Sequence, residues 1–152
     1  MNTLLFIFVT LGLAVVRLRM GQGFPDFLVA WLVVLSYYGE GSRGAVQASW
    51  IGLLHGFPSH SRLEAVMALG MFLILRSQRF HMGRDGWIPR TLGVTLACLL
   101  FCLPELIRSD PSGWRQHARL LATYGFVTGI LSWPLFALGR RWGKPLGLRA
   151  QP

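Results

Sequence analysis

The chain predicts an all-α membrane protein, a polytopic bundle of about six transmembrane helices. Three observations carry that prediction. Of 152 residues, 53% are hydrophobic and 14% are charged, against roughly 25% charged in soluble domains. The apolar residues gather into six runs, about 2–16, 25–38, 44–57, 62–75, 91–107 and 112–139, with short polar breaks between them. In the third run every fourth residue is small: Gly44, Ala48, Gly52 and Gly56. At helical pitch these four stack into one smooth ridge on which another backbone can lie closely. A water-soluble helix seldom carries such a ridge, because Gly costs about 1 kcal/mol against Ala in a helix interior.

Taken in order, the runs carry their own start and stop signals. The first, NTLLFIFVTLGLAVV, lacks a basic flank before it and a small-residue cleavage site after it, so it reads as a retained helix. Pro25 fits the first turn of the second helix, and Asp26 beside it favours the positive helix end. Ser61-Arg62-Leu63-Glu64 reads as a capping box opening the fourth helix. Asp110-Pro111 starts the last helix early, with polar first turns along the membrane surface, and Gly143 and Pro145 end it. Gly125 and Gly129 give that helix a second close-packing site. Residues 1–142 thus form one transmembrane domain, and 143–152 a short basic tail. Runs two and three are short: fourteen residues rise about 21 Å, against about 30 Å of hydrocarbon.

Net charge is +9, yet the basic residues sit in the breaks. A nucleic-acid interface needs a continuous basic face with stacking aromatics, and none is present. The charge instead orients the chain, since Lys and Arg favour the cytoplasmic side. Six crossings place Arg43, Arg76, Arg79, Arg84, Arg90, Arg140, Arg141, Lys144 and Arg149 on one side. Arg17, Arg19, Arg62, Arg108, Arg115 and Arg119 fall on the other. The larger set is expected inside, with both termini cytoplasmic in a bacterial inner membrane.

Candidate chemistry is sparse. His55, His60 and Glu64 are the one set resembling metal ligands, but their spacings do not share a helical face and Pro58 divides them. Glu64 has its capping role, and the two histidines read as interfacial side chains. Gln47, Ser49 and His55 are polar groups on the third helix, expected to hydrogen-bond inside the bundle. Glu105 has Arg108 three residues on as an ordinary partner. Cys98 and Cys102 lie four apart on one helix, a poor geometry for a disulfide, and read as packing thiols. With no phosphate loop, nucleophile elbow or paired catalytic carboxylates, no catalytic residue, metal or cofactor is expected.

From Phe24 to about Arg79 the order of features resembles the MreD family, the small integral-membrane component of the bacterial rod-shape machinery. A short apolar helix and a polar break lead to the Pro25-Asp26 pair that opens helix two. A Gly-rich third helix follows, with a Gly-Leu-Leu-acidic stretch near its end. Here that stretch is Gly52-Leu53-Leu54-His55, so His replaces the acid, and Leu63-Glu64 stands where the family has a Leu-Gly pair. The resemblance implies a non-catalytic scaffold subunit similar in fold to the substrate-binding subunits of energy-coupling-factor transporters. It also implies partners: membrane lipids, an MreC-like single-pass protein, an MreB-like filament and the peptidoglycan polymerase–transpeptidase pair. A small-molecule-binding transporter subunit of the energy-coupling-factor class is the alternative. It would dock its coupling subunit through small residues on helix one, of which Thr10 and Ala14 offer a faint version. A lipid-metabolising enzyme is a weaker third, lacking clustered acids or His–Arg sets.

The topology is directly measurable. A reporter fused at Pro152 should be active in its cytoplasmic form, and a periplasmic C-terminus would overturn the six-crossing expectation.

Overall fold

The computed structural model describes residues 2–20, 25–39, 41–58, 62–78, 86–108 and 114–142. Every regular element among them is helical: α1 (Asn2–Met20), α2 (Phe27–Tyr38), α3 (Gly41–Gly56), α4 (Leu63–Gln78), α5 (Trp87–Arg108), α6 (Trp114–Leu131) and α7 (Trp133–Trp142). His60, Ser61, Asp110, Pro111, Gly143, Pro145 and the tail 143–152 lie outside the described residues, as do the side chains of Glu105 and Arg108.

The bundle is organised around α2. Its sequence FLVAWLVVLSYY carries no charge on any face, and a helix apolar all round must be surrounded. Leu28 through Ser36 are all buried, and α2 touches each of the other six helices. Two antiparallel pairs, α3 with α4 and α5 with α6, flank it. The first helix packs on α2 and α3, and α7 returns against α2.

Small residues set how closely these pairs approach. On α3 the ridge faces α4: a Cβ at Gly52 would stand 2.6 Å from the Ala65 Cα and 2.7 Å from the Ala68 Cβ. One at Gly44 would meet the Phe72 ring at 2.6 Å. Ala48 and Gly56 on the same face are buried. Gly125 and Gly129 do the same work for α6, facing the backbone oxygens of Thr95 and Thr91 on α5 at 3.2 and 2.9 Å from a notional Cβ. Gly139 lets α7 close on Val34 and Tyr38 of α2, a contact the sequence reading did not single out.

Three boundaries differ from the sequence expectation, each for a local reason. Pro25 does not start α2. Asp26 is the N-cap, its Oδ1 accepting from the Leu28 and Val29 N–H groups at 3.1 and 3.2 Å, so the proline stands one residue before the cap. The first helix runs through Arg17 and Arg19 to Met20 instead of stopping at the charges. The last run is two helices, broken at Ser132. Pro134 has no N–H to continue the ladder, and the Ser132 carbonyl instead accepts from Leu135 and Phe136 at 2.9 and 3.2 Å.

Two rods have the length and apolarity of membrane-crossing helices, Trp87–Pro104 and Trp114–Arg141. On α5 the exposed residues Leu92, Leu96, Leu100, Leu103 and Ile107 form one outward stripe, and Leu4, Phe8, Leu11, Val15 and Leu18 do so on α1. Contiguous apolar surface of this kind is rare on water-soluble monomers.

The Gly52 contact is with backbone, which cannot swing aside. Gly52→Leu should therefore lower the detergent melting temperature by an amount equivalent to about 1–3 kcal/mol or more. Gly70→Ala, where a Cβ meets nothing within 4 Å, should leave it unchanged.

A candidate functional site of charges at the helix ends

Four consecutive helix ends converge, and each brings one ionisable side chain. Arg17 lies in the last turn of α1, Asp26 caps α2, His55 is in the last turn of α3 and Glu64 is in the first turn of α4. Antiparallel connection through short breaks brings these ends to the same side of the bundle. The Asp26 Oδ2 is 2.8 Å from His55 Nε2 and 3.1 Å from Arg17 Nε. On the other side of the imidazole, Nδ1 contacts Glu64 Oε2. His55 is thus held between two carboxylates.

The remaining valences are also used. Arg17 donates from Nη1 to the His55 carbonyl at 2.6 Å, one of the last α3 carbonyls that has no partner within its own helix. The Asp26 N–H donates to Thr128 Oγ1 of α6 at 3.2 Å, and that hydroxyl donates to the Tyr124 carbonyl at 2.8 Å. Phe101 of α5 lies on the imidazole, ring centroids 4.8 Å apart. Six of the seven helices therefore contribute to one knot.

Burial grades outward through it. Side-chain exposure is 5% for Asp26, 7% for His55, 15% for Glu64 and 29% for Arg17. The acid at the centre is sealed from water and the guanidinium reaches it. An isolated buried carboxylate would be prohibitively costly. Here the positive end of α2, the two capping N–H groups, Arg17 and His55 all face it.

Several sequence readings change. His55 hydrogen-bonds inside the bundle as one expectation had it, buried between Asp26 and Glu64 and not exposed as the other, an interfacial side chain, required. Glu64 turns toward His55, and its proposed capping partner Ser61 lies outside the described residues. Ser49 bonds the Ala45 carbonyl of its own helix at 3.1 Å. Among the described residues neither amide atom of the buried Gln47 side chain has a hydrogen-bond partner, nor has the Trp31 indole nitrogen, so the expected Gln47 side-chain bond is not found there. Of the stretch ending at His55, Gly52 is buried against α4 and Leu53 faces outward. Cys98 is buried and Cys102 partly so, and neither forms a disulfide. Among the described residues no group of three or more His, Cys, Asp or Glu could hold a metal ion.

Of the residues in the knot the sequence reading singles out only Asp26; it weighs His55 and Glu64 as metal ligands and sets them aside, and it passes over Arg17 and Thr128. A usable signal existed for the first: breaks one and three fall on the same side in a six-crossing chain, so Arg17, Asp26, His55 and Glu64 were already grouped by topology. Nothing marked Thr128. Comparison of the chain with protein-family models, with curated proteins and with solved structures finds no match.

Removing the central charge tests the knot. Asn caps helices as well as Asp, so Asp26→Asn keeps the cap but strands Arg17 and His55. It should cost about 3–5 kcal/mol, the usual consequence of breaking a buried pair, read as a lower detergent melting temperature. Glu64→Gln, nearer to water, should cost less.

Proposed function

We propose that the protein is a non-catalytic integral-membrane scaffold subunit of the MreD type, serving the bacterial cell-elongation machinery. The observation that carries this reading is the Asp26–His55 contact. Asp26 belongs to the Pro-Asp pair that resembles the family, and His55 closes the Gly-Leu-Leu stretch at the place where the family has an acid. They are 29 residues apart in sequence and 2.8 Å apart in the fold. The two stretches that resemble the family therefore lie against each other, which supports the reading.

The geometry favours a scaffold over an enzyme. The imidazole and the Asp26 carboxylate are turned onto each other and onto Arg17, Glu64 and the α2 amides, an arrangement that ties helices together. In this reading the six rods cross the membrane, α6 and α7 counting as one, with both termini cytoplasmic and the charge knot at the periplasmic end. The outward stripes of α1 and α5 then face lipid or the transmembrane helix of an MreC-like partner. The MreB-like filament and the polymerase–transpeptidase pair would be reached through that partner.

The transporter alternative fits less well. Thr10 and Ala14, the small residues it would offer to a coupling subunit, point inward: both are buried, and the Thr10 hydroxyl accepts from the Trp50 indole at 3.2 Å.

Affinity purification of the tagged chain in mild detergent separates the two readings. A single-pass protein with a periplasmic domain should accompany it in stoichiometric amount. Recovery of a cytoplasmic ATPase in its place would replace the scaffold reading by the transporter one.

A further inference from the structure

The position of His55 between two carboxylates has a consequence in proton count. A contact between an imidazole nitrogen and a carboxylate oxygen at hydrogen-bond distance needs a hydrogen between them. A neutral imidazole carries one N–H and offers a bare nitrogen on its other side. A bare nitrogen facing an ionised carboxylate oxygen would set two lone pairs against each other. Both His55 nitrogens face such oxygens, Nε2 toward Asp26 and Nδ1 toward Glu64. One further proton is required, and imidazole is more basic than a carboxylate by about 2 pH units, so the ring is where it resides.

We infer that this knot is a proton-binding site: His55 sits as an imidazolium, and its proton holds the ends of α3 and α4 against the cap of α2. With the proton bound, two cations (Arg17 and His55) balance two anions (Asp26 and Glu64) in a largely buried cluster. Without it the cluster is one negative charge in excess, and either the Asp26 or the Glu64 contact becomes repulsive. The proton comes from and returns to water, which the Glu64–Arg17 side of the knot reaches. Among the described residues the groups facing His55 are Arg17 from α1, Asp26 at the cap of α2, Glu64 from α4 and the uncharged Phe101 ring from α5. Cys98 of α5 and Tyr124 of α6 are further titratable groups within electrostatic reach of Asp26. The stabilising charge is present while the ring is protonated and disappears as pH rises through its titration. Stability therefore falls with rising pH, the direction opposite to that of a carboxylate freed of its proton.

The test is made on the isolated full chain in detergent, with no partner present, so its failure is independent of the scaffold reading. The melting temperature of the wild type should fall by about 5 °C or more between about pH 6 and about pH 8.5. His55→Gln should melt lower at the acid end and show a flat profile. A flat wild-type profile, or the same slope in His55→Gln, overturns the inference. Should His55→Gln fail to fold, the ring can be read directly. In a chain carrying His60→Gln, His81→Gln and His117→Gln, the nitrogen resonances of the one remaining histidine at about pH 7 should show both nitrogens protonated. A ring with a single protonated nitrogen overturns it equally.

Discussion

The buried carboxylate of Asp26 is the constraint around which the rest of this bundle is arranged. A charge 95% withdrawn from water has to be matched locally or it would shed its ionisation. The fold matches it in four ways: two amides of its own helix, the field at the α2 N-terminus, the Arg17 guanidinium and the His55 ring. Each of the last two comes from a different helix end, and His55 recruits Glu64 from a third. Satisfying one acid therefore fixes how α1, α3 and α4 stand relative to α2. Apolar packing alone would leave those helices free to slide along one another, since a Leu–Val interface tolerates many registers.

The second organising fact is that α2 is surrounded. Twelve residues rise only about 18 Å, yet the helix touches all six others. Small residues on its neighbours make this possible. Gly52 and Gly44 draw α4 onto α3, Gly125 and Gly129 draw α6 onto α5, and Gly139 admits α7 onto Val34. In hydrocarbon such close approach is where helix association gains most, because lipid tails are as apolar as the side chains they replace. The polar knot and the small-residue contacts are complementary. One fixes register at a single end, and the other fixes distance along the shafts.

A site built this way resists reading from sequence by motif. Judged against its own neighbours, Glu64 reads as part of a capping box and His55 as a polar side chain either at the interface or bonded inside the bundle. Within α3, His55 is one polar residue near a helix end, and such residues are usually solvated. Within α2, Asp26 is an ordinary cap. The pairing exists between residues 29 apart, and only the antiparallel return of α3 along α2 brings them together. Thr128 is more remote still, 102 residues from the Asp26 N–H it accepts.

What the sequence determined by itself is local and periodic. Composition and six apolar runs give helices, and the polar breaks between them give their number, with Ser132 and Pro134 the exception that splits the last. The fourfold spacing of Gly44, Ala48, Gly52 and Gly56 marks a contact face, because helical pitch alone puts those residues in line. Which helix would lie on that face, and which one would be enclosed, was decided by the tertiary structure. Both depend on how the rods sort around the most apolar of them. The same holds for the charges. Their side of the bundle follows from counting breaks, but their mutual distances follow from the axial register of four helices. That register is set where the buried acid finds its partners.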